Sequence, residues 1–205
     1  MKRIVSVISL ILVTILMLTG CSSGGETAKN SVKIAVTIPF AVEGAENELK
    51  AMLEKGLPEL NTEEEKMLVQ VLSTGDTKAD PMSAMAGMTK ITTMFLGKEI
   101  EIMICDADNA QRHGENGSAY MPLDKLFTAE EQAELGIEAL TVAVADDAGN
   151  PTGERSAAVG ISLADCEGVT NIFKMSDLGL YVIDVPEAEA NIENIRTAIR
   201  YILSM

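Results

Sequence analysis

The chain has 205 residues, of which 16 are Lys or Arg and 31 are Asp or Glu, so its formal net charge is −15. An acidic chain lacks the basic footprint that nucleic acid requires, and with 3% aromatics and no Trp it has no stacking platform for single strands either. The single histidine, His113, excludes a multi-histidine metal site, whereas 47% hydrophobic and 23% charged residues are the proportions of a folded domain.

The chain opens on Lys2-Arg3, an apolar run from Ile4 to Leu18, and then Leu18-Thr19-Gly20-Cys21. A basic start, an apolar core short for a bilayer and small residues at its end make an export signal. The last four residues resemble a bacterial lipobox, in which the cysteine becomes the first residue and carries the lipid. Ser22 to Ser31 is polar and rich in Ser and Gly, as a flexible tether is. The expected organisation is a signal peptide over 1–20, a tether over 21–31 and one domain over 32–205. The protein is then expected at the cell membrane, lipid-anchored through Cys21 and facing the extracytoplasmic side.

Beyond the tether the hydrophobic pattern alternates between two periods. Lys33 to Pro39 reads as a β-branched strand, and Ala45 to Lys55 as a helix stopped by Gly56 and Pro58. Met67 to Leu72 is a second strand. Asp80-Pro81 offers an N-cap and a first-turn proline for a helix running to Leu96, and Ile100 to Cys105 is a third strand. Strands joined by helices of this length form βαβ units, so the sheet is expected to be mainly parallel.

The second half is less regular. Tyr120 to Phe127 is an irregular apolar stretch, after which Thr128 opens a short acidic helix with Glu131 placed for a capping box. Leu140 to Ala145 reads as a strand, Asp146 to Glu154 as a turn-rich loop, and Ala157 to Leu163 and Leu180 to Val185 as further strands. Pro186 starts the last helical region, where Ile192, Ile195, Ile199 and Ile202 share one face. The expected fold is α/β, a single three-layer lobe with a mainly parallel (mixed) sheet of about five strands flanked by helices.

Several of these segments carry a resemblance. Asp80-Pro81-Met82, Met88-Thr89-Lys90-Ile91, Gly97 to Ile104 with Asp106, the MPLDKLFT run from Met121 to Thr128, and Gly179 to Ile183 with the terminal helix together resemble bacterial extracytoplasmic solute-binding lipoproteins of ABC transporters, with a type 2 periplasmic-binding-protein-like fold. The resemblance implies two α/β lobes, the second inserted between the strands at Leu140 to Ala145 and Ala157 to Leu163. Only about a dozen residues lie there, against the roughly one hundred that a lobe needs for a core of its own. The second lobe is therefore missing, and with it half of the cleft.

One lobe leaves its strand ends open, and in open α/β sheets ligands bind outside the carboxyl ends of the strands. Three loops meet there: one with Phe40 after the first strand, one with Asp76 after the second, and one with Asp106 and Asp108 after the third. Their acids suit a cationic or polyhydroxylated solute, held weakly, or basic residues on a partner such as a transporter permease, an envelope protein or a second copy in a homodimer. Asp76, Asp106 and Asp108 serve equally well as helix caps. No cofactor is expected, and no enzyme. The run from Asp106 has Gln111 where a calcium loop needs glycine, and there is neither a P-loop ending nor a G-x-S-x-G elbow. His113 reads as a loop or helix-end residue. Cys105 and Cys166 form a disulfide or stay free, with free thiols favoured. Met82, Met85, Met88 and Met94 drift around one helix, packed on the sheet and under a neighbouring segment or left in part as an adaptable contact patch.

Overall fold

The computed structural model describes residues 31–40, 42–62, 66–75, 81–146 and 148–205. The expected signal peptide, the expected tether up to residue 30 with Cys21, the expected cap at Asp80 and the loop residue Asp76 lie outside them, whereas Ser31, the last residue assigned to the tether, is buried and its carbonyl accepts from the Asn191 side chain. In chain order the elements are β1 (Val32–Ile38), α1 (Ala45–Gly56), β2 (Met67–Ser73), α2 (Pro81–Leu96), β3 (Ile102–Cys105), α3 (Ala107–His113), α4 (Leu123–Leu126), α5 (Ala129–Glu134), β4 (Ala139–Leu140), β5 (Ala143–Ala145), β6 (Pro151–Arg155), β7 (Gly160–Ser162), α6 (Glu167–Phe173), β8 (Gly179–Val182), α7 (Pro186–Ala190) and α8 (Ile192–Leu203).

Six strands form one mixed sheet in the order β2-β1-β3-β8-β7-β4, with helices on both faces. The fold is α/β, as the alternating periods require. β1 pairs in parallel with β2 and β3, whereas β3–β8, β8–β7 and β7–β4 are antiparallel. The sheet is therefore parallel over its first three strands only. Between β4 and β7 the chain runs out through β5–β6 and straight back, and antiparallel pairing needs no crossover helix.

Side chains alternate across β1. Ile34, Val36 and Ile38 join a core with Leu49 and Leu53 of α1, Val169 and Phe173 of α6, and Ile195, Ala198, Ile199 and Ile202 of α8. Three of the four expected isoleucines of α8 are fully buried, while Ile192 is only partly so. Each buried isoleucine contributes about 1.5–3 kcal/mol. Ala35 faces the other way, with Met103, Cys105, Ile91 and Met94 of α2, Ala110 of α3, and the Tyr120–Tyr181 pair. Cys105 and Cys166 are free, buried and in the cores of opposite faces. Burial pushes both thiols above their ordinary range, Cys105 well above, so neither is an activated nucleophile.

The second half departs from the expected elements in three places. The strand expected from Leu140 to Ala145 breaks at Thr141-Val142 into β4 of the main sheet and β5 of a separate hairpin with β6. The expected loop from Asp146 to Glu154 is a turn only at its start, where the Asp146 carboxylate accepts from the Ala148 and Asn150 amides. From Pro151 the chain becomes β6. The free edge of β5 is satisfied by two side-chain amides: Gln111 and Asn116 each donate to a carbonyl of β5 and accept its N–H, at Ala143 and Ala145. The hairpin thus takes the place to which the resemblance assigns a second lobe.

At the start of α5, Thr128 and Glu131 form the expected capping box. Glu131 also meets Arg196 and Arg200 of α8, whose guanidiniums lie 5.6 and 5.5 Å from the Phe127 ring centre. The hydrogen bond from the Thr128 amide, and next the Arg196 charge, hold the Glu131 carboxyl below its ordinary range.

Candidate functional site

The order β2-β1-β3 sets the site. β1 leads into α1 on one face and β3 into α3 on the other, so the chain parts at the carboxyl ends of β1 and β3, where a crevice opens. A hollow of about 160 Å³ lies there, lined by Pro39 after β1, Thr74 and Gly75 after β2, Met88 of α2, and Asp106, Asp108, Asn109 and Arg112 around α3. Residues from the ends of all three strands meet there, but of the first expected loop only the preceding Pro39 takes part, and Asp76 of the second lies outside the described residues. Thr74 is fixed to β1 by donating from its amide and its hydroxyl to the Ile38 carbonyl, at 2.8 and 3.2 Å. Gly87 lets α2 approach the end of β2, since a Cβ there would stand 2.1 Å from the Ser73 carbonyl oxygen.

The candidate residues divide. Asp106 is the N-cap of α3: its Oδ1 accepts the Asn109 amide at 2.7 Å, and the Asn109 side chain donates to both of its oxygens. That carboxylate is occupied within the fold. Asp108 is exposed on the first turn of α3 and lines the hollow. Phe40 is 48% exposed beside Pro39 but does not line it.

One residue that the sequence did not single out, Arg112, dominates the geometry. Arg112 lines the strand-end hollow and donates from Nη1 to the Met88 sulfur at 3.0 Å. Four residues separate it from Asp108, so both stand on one side of α3; that spacing is visible in the sequence once 107–113 is known to be helical. Beyond Arg112 a second hollow of about 320 Å³ opens between α2 and α3. Met88, Thr92, Phe95 and Leu96 form one wall, and Arg112, His113 and Glu115 form the other. His113 ends α3, half-buried and stacked on Phe95 with ring centres 5.9 Å apart. Burial, and next the Arg112 charge, lower its pKa, so the imidazole is neutral at physiological pH.

The same face is apolar toward solvent. α2 buries only Ala84, Ile91 and Met94, while Met82 is 83%, Met85 69% and Leu96 80% exposed. A neighbouring segment does not cover these methionines. Thr89, Thr92 and Thr93 donate their hydroxyls to carbonyls one turn back, which leaves their methyl groups outward.

Among the described residues no group of three or more His, Cys, Asp or Glu is placed to hold a metal ion, and no helix is long and apolar enough to cross a membrane. No protein-family model, curated protein or solved structure matches the chain.

Proposed function

We propose that the chain is a non-enzymatic binding protein, a lipid-anchored extracytoplasmic lobe of the solute-binding type that acts as the ligand-binding component of a transport or sensing system. Its working surface is the strand-end face between α2 and α3. The observation that carries this reading is the hollow at the parting of β1 and β3, where Thr74, Asp108 and Arg112 stand around an open crevice. A hollow of this depth covers one side of a ligand, whereas closed sites enclose about 70–90% of a ligand's surface. A solute is therefore held weakly, and a permease or a second copy of the chain supplies the opposite wall. Attachment runs through Cys21, so Cys21→Ala leaves the chain uncleaved or prevents fatty-acid labelling.

The uncovered apolar residues of α2 favour a second reading, in which the lobe docks on an envelope protein without capturing a solute. A thermal-shift screen of sugars, amino acids and small acids separates the two. A ligand at a hundred times its Kd adds about 2.7 kcal/mol of stability, and Arg112→Gln and Asp108→Asn abolish the shift if the strand-end face binds it. A screen in which no solute raises the melting temperature leaves docking as the function.

A further inference from the structure

Among the described residues Arg112 has no ion-pair partner, in a chain that carries nearly two acids for every base. A guanidinium has five N–H donors in a planar fork that suits a carboxylate. The one hydrogen bond of Arg112 among the described residues goes to the thioether of Met88, a weak acceptor. Asp108, four residues earlier, shares the strand-end hollow with it without forming an ion pair, and the oxygens of Asp106 are taken by Asn109. The side chain stands where the two hollows meet, since Met88 and Arg112 line both.

The larger hollow on its far side is the more apolar of the two. The stacked Phe95 and His113 rings make a flat wall, Met88 is an adaptable one, and Leu96 forms the rim. Thr92 presents its methyl group, because its hydroxyl donates to the Met88 carbonyl at 2.9 Å. At about 320 Å³ the space falls within the range of small-ligand pockets. The acid in this lining is Glu115, which disfavours a second negative charge on the ligand.

We infer that the groove between α2 and α3 binds a small monocarboxylic acid with an apolar chain, its carboxylate on the Arg112 guanidinium and its chain along Met88, Phe95 and Leu96. On binding, Arg112 exchanges the thioether for a charge-assisted pair. This inference rests on the strand-end face being the working surface and names the class of solute that it takes.

The only histidine of the chain lies in this groove, so the full chain without a polyhistidine tag carries its own probe. In proton NMR titrations, octanoate shifts the His113 imidazole signal saturably, whereas octylammonium does not. Arg112→Gln, a change at an exposed position, weakens octanoate binding at least about tenfold, as loss of a charge-assisted hydrogen bond implies, and leaves the weak binding of octanol unchanged. Leu96→Ser weakens octanoate and octanol alike. An imidazole signal unmoved by octanoate, or equal octanoate affinity in wild type and Arg112→Gln, overturns the inference. If octanoate fails while a sugar or polar amino acid raises the melting temperature through Asp108, the binding-lobe reading stands and only the solute class is wrong.

Discussion

The two faces of the sheet are built differently. The face under α1, α6 and α8 is closed: its aliphatic side chains are buried nearly completely, and Glu131, Arg196, Arg200 and Phe127 tie its rim together. The face under α2 and α3 is covered in part. It leaves Met82, Met85 and Leu96 in solvent, a half-buried His113 without a partner for its buried Nε2 among the described residues, and Arg112 on a thioether. Closure of one face supplies the stability that lets the other remain open, and an open face with a fixed cation and apolar walls is what a binding surface needs.

The largest expected effect comes from placing a charge on each face. Ile199→Asp forces an unpaired carboxylate into the closed core and destabilises by roughly 4 kcal/mol or more, whereas Met85→Asp, already in solvent, changes stability by no more than about 0.5 kcal/mol. Urea denaturation of the two variants checks this. Comparable losses would break the distinction between the faces.

Gly87→Ala sharpens it within the open face. In an exposed helix the alanine is favoured by about 1 kcal/mol, yet here its methyl meets the Ser73 carbonyl, and the net effect is a loss of roughly 1–3 kcal/mol. A rise in melting temperature would show that α2 is not held against the end of β2.

The smallest effect concerns Glu101, a buried carboxyl between the two halves of the sheet that accepts the Lys33 amide and the Asn191 side chain on the same oxygen, at 2.9 and 3.4 Å. Burial holds its pKa above the ordinary range. The fold therefore favours the protonated acid, and this contribution is complete in acid and lost as pH rises through the raised value. Glu101→Gln keeps the accepting oxygen and removes the charge, so it equals wild type in acid and exceeds it at neutral pH. Denaturation across that range with a constant difference between the two would contradict this.

The first half of the chain was legible because its signals are local. β1 and β2 have β-branched runs with turn residues behind them, and the isoleucines of α8 repeat at helical spacing. The second half depends on contacts far apart in sequence. β6 holds Pro151 and Gly153, which read as turn residues, and its partner β5 is fixed by amides of Gln111 and Asn116 about thirty residues away. α3 and α6, with seven residues each, are too short for periodicity to declare them. Without α3 the i,i+4 spacing of Asp108 and Arg112 has no meaning, and the acids alone point to a cationic or polyhydroxylated solute or to basic residues on a partner. The structure moves the emphasis to Arg112, because Asp106 caps the helix.

On the proposed function, one open lobe presents a binding face and does not enclose its ligand. Calorimetry of the best solute from the thermal-shift screen, with the oligomeric state fixed by light scattering in the same sample, tests it most directly. A monomer is expected to bind at micromolar affinity or weaker, with tighter binding only in the presence of a second copy or a membrane partner. A monomer that binds a small solute with submicromolar affinity would contradict it.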